Sequence, residues 1–249
     1  MTVAFISDLH LCAERPAMTA LLRAFLRRRL GTGDTLYILG DLFEAWLGDD
    51  AVLPDQSPVL AELRATAERG ITLFFMHGNR DFLAGTDFAA QSGCRLLVDP
   101  AVIELGGERV LLMHGDTLCT DDHEYQAYRA RVRSPEFRAH VLSLTIDERI
   151  ALAGHYRSES ARLSRDKPPE IMDVNPQAVG AAMRAHGVRR LIHGHTHRQA
   201  IHEFTLDGAP ARRYVLGDWY RDGCALEYSA GNYRMDNFDL DSLDNRPAG

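Results

Sequence analysis

Short apolar runs alternate with helical patterns over the first part of the chain. Runs rich in β-branched and aromatic residues predict buried strands over residues 3–7, 35–39 and 71–76. Between these runs, apolar residues at helical spacing predict helices over 16–30 and 58–69, each followed by a glycine. This pattern is typical of strand–helix–strand units in which the strands are covered by helices.

Later in the chain the apolar runs come in pairs that flank turn sequences. Runs over 102–105 and 109–113 flank a Gly-Gly pair, and runs over 200–206 and 212–216 lie on either side of an Asp-Gly pair. Both arrangements predict β-hairpins. A helix over 176–186 and a strand over 189–193 lie between them. The sequence therefore predicts an α/β fold of mixed sheets flanked by helices.

The segment 121–168 interrupts this rhythm. It contains no strand pattern, and its apolar spacing predicts helices over 122–132, 135–144 and 146–165, closed by a Pro-Pro pair. We interpret it as a helical cap inserted over the strand ends. The predicted core is then 1–120 together with 169–240, and 241–249 is a polar tail.

Composition narrows the function classes. The chain has 249 residues, 45% of them hydrophobic and 25% charged, which suits one large domain with an insertion. A net charge of −7 argues against a broad nucleic-acid surface, so no nucleic-acid partner is expected. We see no secretory signal and no apolar stretch of the ~18 residues that a spanning helix needs. Four scattered cysteines favour reduced thiols in a cytoplasmic protein.

Polar clusters follow five of the predicted strands. They are Asp8-Leu9-His10, Gly40-Asp41, Gly78-Asn79-Arg80-Asp81, His114-Gly115-Asp116 and Gly194-His195-Thr196-His197. Oxygen and imidazole donors without a thiolate suit Mn²⁺, with Fe²⁺, Zn²⁺ or Mg²⁺ as alternatives. Residues two apart on an extended segment point the same way, so Asp8 with His10, and His195 with His197, should each face one centre.

Taken alone, each cluster favours a turn or capping role. Five of them in this order at strand ends predict a metal centre, because co-occurring motifs in the right context support one another. The remaining histidines are interpreted as surface or core residues: His77, His123, His140, His155, His186, His193 and His202. Asp218, in a second Gly-Asp pair, is interpreted as a turn residue.

The order of these loops resembles the calcineurin-like metallophosphoesterase superfamily. The resemblance implies a β-sandwich of mixed sheets and a dinuclear centre that binds two Mn²⁺ ions. It implies one ion held by Asp8, His10, Asp41 and His197. The other would be held by Asp41, Asn79, His114 and His195, with Asp41 bridging. Two cations ~4 Å apart activate a bridging water and clamp the phosphoryl oxygens during in-line attack.

Arg80 stands where many members of that superfamily carry a histidine that protonates a leaving alkoxide. An arginine is a poor general acid but a good clamp for phosphate charge. A phosphate leaving group needs no proton, so Arg80 favours hydrolysis of a pyrophosphate bond, with aryl and other activated esters left open. The structural alternative is a salt bridge between Arg80 and Asp81.

The predicted cap combines cationic and apolar residues. It contains Lys167, the only lysine among the 28 lysine and arginine residues of the chain. Its presence there suggests a functional contact, and chance is the alternative explanation. The apolar set at helical spacing fits either ordinary packing on the core or an acyl-binding groove with membrane contact.

Five segments together with the insertion narrow the resemblance. SDLHL, LGDLFEAWLGDD, HGNRDF, MHGD and HGHTH resemble bacterial members that cleave the pyrophosphate of a UDP-linked diacylated glucosamine in lipid A biosynthesis. The products are UMP and 2,3-diacylglucosamine 1-phosphate. This implies an Mn-dependent pyrophosphatase, peripheral on the cytoplasmic side of the inner membrane, in which a dimetal-bridging hydroxide attacks the α-phosphorus.

By position, the same resemblance implies substrate contacts at Asn79, Arg80, Asp122, Ser160, Ser164, Lys167 and His195. Asn79, Arg80 and His195 would also be catalytic. Tyr125 and Arg157 are further pocket candidates. The cap would contact the membrane surface, and no obligate protein partner is expected.

Two alternatives remain at this point. One is a metallophosphoesterase that acts on another nucleotide-linked substrate or a phosphodiester. The other is a non-catalytic metal-binding scaffold, whose mark would be missing ligands. The chain lacks none of the expected ligands.

Overall fold

The computed structural model describes residues 1–165 and 167–244, without the side chains of 159–165, 169 and 244. The strands are β1 (Val3–Ile6), β2 (Thr35–Ile38), β3 (Thr72–Met76), β4 (Arg95–Leu97), β5 (Ala101–Leu105), β6 (Glu108–Met113), β7 (Arg190–His193), β8 (Ala200–Leu206), β9 (Ala209–Val215), β10 (Gly223–Ser229) and β11 (Asn232–Phe238). The helices are α1 (Pro16–Arg28), α2 (Ser57–Glu68), α3 (Thr86–Ser92), α4 (His123–Val132), α5 (Pro135–Ser143), α6 (Ile146–Arg165), α7 (Pro176–Ala185) and α8 (Leu240–Asp244).

The strands form two mixed sheets. The first has the order β11-β10-β1-β2-β3-β4, and the second has the order β5-β6-β7-β9-β8. β1 to β4 run parallel to one another, as do β6, β7 and β9. The carboxyl ends of these parallel strands therefore gather at one edge of each sheet.

The two sheets pack face to face. Successive side chains of a strand point to opposite faces, so alternate residues separate into two sets. Phe5 and Tyr37 of the first sheet share one buried cluster with Val110 and Tyr214 of the second. Ala4 and other residues of the opposite face join a second cluster with α1 and α2. The result is a sandwich whose outer faces are covered by helices, which confirms the predicted fold class.

The two outer layers are amphipathic helices. Helix α1 buries Leu21, Leu22, Phe25 and Leu26 against the first sheet, at the spacing that predicted it. Helix α7 buries Val179 and Met183 in a third cluster on the outer face of the second sheet.

Several elements differ from the sequence-based expectation. The patterns did not predict α3, β4, β10, β11 or α8. Residues 241–244, expected in a polar tail, belong to α8, where Leu243 is buried in the core. Residues 245–249 lie outside the described part of the chain. β11 is an edge strand, and exposed polar side chains interrupt its half-buried ones. Its sequence therefore lacks the continuous apolar run that would predict a strand.

Candidate metal centre

The predicted ligands follow strands of both sheets. Asp8, Asp41 and Asn79 lie two or three residues beyond the ends of β1, β2 and β3. His114 follows β6, and His195 follows β7 in the other sheet. The amide of His195 donates to Asp8 Oδ2 at 2.8 Å, which joins the two sheets at this edge.

The loops are fixed in a backbone conformation that side-chain-bearing residues rarely adopt. Among the described residues, seven other than glycine have positive φ. Five of them are predicted ligands: Asp8 (56°), His10 (48°), Asp41 (53°), His195 (68°) and His197 (58°). Such conformations cost of order 1–3 kcal/mol each and persist only where the surroundings enforce them. The expectation of extended segments is therefore wrong, although the side chains do converge.

Two glycines allow the loops to approach one another closely. A Cβ added to Gly78 would lie 2.0 Å from Asp41 Oδ1. A Cβ added to Gly194 would lie 2.2 Å from Asp8 Oδ2. Both distances are far inside van der Waals contact, so no larger residue fits at either position.

Asp8, His10 and His197 form one group of converging donors. Asp8 Oδ1 lies 3.4 Å from His197 Nε2 and 4.0 Å from His10 Nε2. The two imidazole nitrogens are 3.2 Å apart. Asp8 Oδ2 accepts from Ser7 Oγ, whereas Oδ1 is buried without a hydrogen-bond partner. An orphaned buried carboxylate oxygen beside two ring nitrogens is what a cation ligand requires.

Asp41 lies between this group and a second one. Its Oδ1 accepts from the amide of Arg80 at 2.8 Å, which fixes the carboxylate. The other oxygen, Oδ2, lies 3.7 Å from His10 Nε2 and 4.0 Å from His114 Nε2. One oxygen thus faces a histidine of each group, the placement that a bridging carboxylate needs.

The second group comprises His114, Asn79 and His195, with Asp41. Asn79 Oδ1 lies 3.1 Å from His114 Nε2 and 3.0 Å from His195 Nδ1. His114 Nδ1 pairs with the carbonyl of Leu39 at 2.8 Å, so its Nε2 is the nitrogen directed into the centre.

The electrostatic field of the site is strongly negative. Burial opposes ionisation of Asp8, yet the positive charge of nearby His197 holds the pKa of this carboxyl well below its usual range. Burial would lower the pKa of His114, but the negative charges of Asp41 and Asp116 raise it to about 9. Burial and the charge of His114 lower the pKa of His195 to about 4, which leaves a neutral imidazole able to ligate. The crowded carboxylates keep a proton on the neighbouring imidazole of His114. The same negative charge favours a metal cation in place of that proton.

Arg80 does not pair with Asp81. Asp81 is fully buried and accepts from the amides of Gly78 (2.8 Å) and Leu42 (2.7 Å). The acid nearest the Arg80 guanidinium within the described ranges is Glu44, at 4.0 Å, and Arg80 Nε is buried without a hydrogen-bond partner. Arg80 also lines a cavity beside these loops.

A cavity of about 320 Å³ opens from the metal-ligand loops toward the helices of 121–168. Asn79 and Arg80 of the metal-ligand loops line it. Apolar and aromatic side chains of the core and of 121–168 also line it: Phe82, Leu83, Phe137, Val141, Leu152, Ala153 and Tyr156. One cavity thus offers both charged and apolar side chains to a single ligand.

The predicted contacts Asp122 and Lys167 both line this cavity, and they pair with each other. Lys167 Nζ donates to the two carboxylate oxygens of Asp122 at 2.6 and 2.9 Å. Tyr125 also lines the cavity, and its ring centroid lies 5.4 Å from that of His195. The side chains of Ser160 and Ser164 lie outside the described part of the chain.

Much of the positive charge of 121–168 has structural partners. Arg129 and Arg133 donate to the buried carboxylate of Asp116 at 2.6 and 3.3 Å. Arg149 donates to both oxygens of Asp50 at 2.6 and 2.9 Å. These arginines fasten the helices to the core, which agrees with the packing interpretation for them.

Two acids outside the predicted set contact ligand histidines. Glu44 Oε2 lies 3.5 Å from His10 Nδ1, and Asp218 Oδ2 lies 3.4 Å from His197 Nδ1. Asp218 also accepts from the amide of Tyr220 at 3.1 Å, which is the turn role expected of it, and its contact with His197 goes beyond that role. No motif marks either acid, because each reaches its histidine through the tertiary fold.

None of the helices in the described ranges is long and apolar enough to cross a membrane.

The calcineurin-like phosphoesterase family matches residues 1–199. The chain is similar to a UDP-2,3-diacylglucosamine hydrolase of Aeromonas salmonicida, with 51% identity over 100% of this chain and 97% of that protein. A protein of the same name from Chromohalobacter salexigens is 53% identical, over 88% of this chain and 89% of its own length. Among solved structures, an archaeal phosphodiesterase matches 96% of this chain and 100% of its own, with a TM-score of 0.46 and 12% identity.

Proposed function

This chain belongs to the calcineurin-like phosphoesterase family, and from this premise we propose that it hydrolyses the pyrophosphate bond of UDP-2,3-diacylglucosamine. The products would be UMP and 2,3-diacylglucosamine 1-phosphate (lipid X), a step of lipid A biosynthesis. Relatives about 50% identical over nearly the whole chain bear the corresponding name. The observation that carries the proposal to this chain is a cavity beside the metal-ligand loops whose lining includes Arg80 and a set of apolar side chains.

Membership of the family implies a dinuclear metal centre. We propose that Asp8, His10, Asp41 and His197 hold one ion and that Asp41, Asn79, His114 and His195 hold the other. We propose Mn²⁺ as the ion, because the resemblance to Mn-dependent members of the superfamily implies it and because oxygen and imidazole donors without a thiolate suit it. When bound, two such ions supply Lewis acidity that activates water and neutralises phosphoryl oxygens.

Arg80 would bind the phosphoryl oxygens of the reacting diphosphate. Its backbone amide holds the bridging carboxylate of Asp41, while its guanidinium lies in the cavity with an unpaired buried nitrogen. A guanidinium matches phosphate geometry with two parallel donors and stays charged at any working pH. The sugar phosphate can leave as a stable anion, so this site needs no general acid.

The other proposed substrate contacts fall into two groups. Asn79 and His195, which face each other at the metal centre, would bind the diphosphate. Asp122 and Lys167 would exchange part of their mutual ion pair for sugar or phosphate contacts. Ser160 and Ser164 are carried over by resemblance alone.

The helices of 121–168 are proposed as a cap domain on the core of 1–120 and 169–240. The apolar side chains that line the cavity, most of them from this cap, would bury acyl chains, at roughly 25 cal/mol per Å² of apolar surface removed from water.

We further propose that the protein is peripheral on the cytoplasmic side of the bacterial inner membrane. Leu142, Ile146 and Ile150 are large apolar residues of the cap region that are 41%, 43% and 45% exposed. Apolar side chains beside cationic ones suit the surface of an anionic bilayer. Such contact would bring the cavity to a lipid substrate without a spanning segment.

The test is steady-state release of UMP from UDP-2,3-diacylglucosamine by metal-stripped protein, with and without added Mn²⁺. We expect Mn²⁺-dependent release in the native protein. Asp41→Ala should reduce it by more than about 100-fold, beyond the usual effect of losing an outer-layer partner of a metal ligand. Asp87→Asn, which changes an exposed acid, serves as the control.

Release of UMP without added metal would contradict the role of the centre. Bound Mn²⁺ without UMP release, together with hydrolysis of an aryl phosphodiester, would retain the metal centre and reject the lipid substrate. Bound Mn²⁺ with neither activity would favour the non-catalytic scaffold.

A further inference from the structure

Three consecutive residues between β9 and β10 each contact a different ligand of the same group. Asp218 faces His197, with 3.4 Å between Oδ2 and Nδ1. The amide of Trp219 donates to the carbonyl of Asp8 at 3.0 Å. The ring of Tyr220 stacks on that of His10, with centroids 5.5 Å apart and planes 19° apart. The loop Asp218–Tyr220 therefore touches Asp8, His10 and His197 in turn.

The carboxylate of Asp218 is itself held in place. Its Oδ1 accepts from the amide of Tyr220 at 3.1 Å, so Oδ2 is the oxygen directed at His197 Nδ1. A carboxylate at Nδ1 favours the tautomer that carries the proton there. His197 Nε2, 3.4 Å from Asp8 Oδ1, then presents its lone pair to the centre.

Tyr220 covers both histidines of this group. Its ring makes an edge contact with His197, with centroids 5.6 Å apart, while it stacks on His10. The guanidinium of Arg15 lies 4.4 Å above the Tyr220 ring and also donates to the carbonyl of His10. The tyrosine is thus held between an arginine and the two imidazoles, where it limits their movement and their access to water.

The two groups of ligands differ in what orients their histidines. In the group of Asp8, the acids Asp218 and Glu44 face His197 and His10. In the other group, His114 is paired with the backbone carbonyl of Leu39. A carboxylate partner makes an imidazole a more basic ligand than a neutral carbonyl does.

We propose that the loop Asp218–Tyr220 is a positioning element for one half of the metal centre, and that it sets the affinity of the ion held by Asp8, His10 and His197. Asp218 acts through His197, and Tyr220 acts through both imidazoles. This inference rests on the proposed metal centre but not on the identity of the substrate. Its consequence is sequential loading, in which this half takes its ion first.

The experiment compares Mn²⁺ binding to the native protein, Asp218→Asn and Asp218→Ala by competition with a chelator. Electron paramagnetic resonance distinguishes a single ion from a coupled pair. We expect Asp218→Ala to weaken one of two ions by about 10–100-fold and to leave the other unchanged. Asp218→Asn should lose less, because the amide oxygen still accepts from Nδ1. Asp222→Asn, an exposed acid just beyond the same loop, is the matched control.

Several results would overturn the inference. If Asp218→Ala keeps native affinity for both ions, the loop does not position the ligands. If it weakens both ions equally, the residue acts on the fold rather than on one half. Native protein that binds no Mn²⁺ would reject the proposed centre as well, whereas two bound ions without UMP release would reject the substrate alone.

Discussion

The metal-ligand loops and the helices above them are held in place by different means. The loops are fixed by backbone: five ligands adopt left-handed conformations, and glycines let neighbouring loops approach within contact distance. The helices of 121–168 are fastened by side chains, chiefly Arg129 and Arg133 on Asp116 and Arg149 on Asp50. Backbone placement leaves little freedom, whereas long side chains tolerate small shifts. The comparison teaches that the chemistry is placed rigidly while the surface for ligand recognition can adapt.

Three substitutions test this comparison. The largest effect is expected at Arg80, which lies in one of the rigidly placed metal-ligand loops. Arg80→Ala should lower kcat for UMP release by about 10²–10³-fold, the usual cost of removing one preorganised donor to developing charge. Arg80→Lys should recover only part, because an ammonium lacks the paired donors. The control is Arg95→Ala, which removes an exposed guanidinium on β4, outside the segment 121–168. Unchanged kcat in folded Arg80→Ala protein would rule out the clamp.

A smaller effect is expected inside the cap, at Leu152. Leu152 is one of the apolar residues that line the cavity, so Leu152→Ser should raise KM for the diacylated substrate by about 10-fold. Hydrolysis of a small aryl phosphodiester should be unchanged, because that substrate has no acyl chains to bury. Val98→Ser, at a residue 76% exposed on the core, controls for the loss of an apolar side chain. If Leu152→Ser reduces hydrolysis of both substrates equally, the cap does not recognise the diacylated substrate independently of the catalytic centre.

The smallest effect is expected at the outer surface of the cap. The double substitution Ile146→Ser and Ile150→Ser should weaken binding to vesicles that contain anionic lipid by about fivefold, since each side chain is only partly available for burial. Turnover of detergent-dispersed substrate should stay the same. Sedimentation with vesicles measures the first quantity and UMP release the second. Native protein that does not sediment would contradict the membrane proposal.

The fold was predictable where local pattern and burial agree. β1, β2 and β3 lie within one residue of the predicted strands because continuous apolar runs mark strands covered on both faces. β10 and β11 escaped prediction. β11 mixes exposed polar residues with half-buried ones such as Tyr233 and Met235, a pattern set by its place at the edge of the sheet. Edge position is a property of topology, which local spacing does not carry.

The same limit applies to the candidate site: features set by local sequence were predictable, and features set by the tertiary fold were not. The ligand loops could be found because Asp8, Asp41 and His114 each end a recognisable strand. The left-handed backbone of Asp8 and Asp41 could not be predicted, since only packing between loops enforces it. Glu44 and Asp218 were missed for a related reason: each faces its histidine across the fold. Lys167 was singled out by composition, yet its partner in the structure, Asp122, lies 45 residues away in the chain.

The origin of the ligands in two different sheets has one more consequence. Asp41 leaves the first sheet and His114 the second, and they face each other at the open edge of the sandwich. A cation coordinated by both would be a cross-link between the sheets as well as a catalyst. Its binding free energy would then contribute to the cohesion of the sandwich, since the unfolded chain offers no such site. The lifetime of the folded protein in the cell would in that case follow the supply of metal.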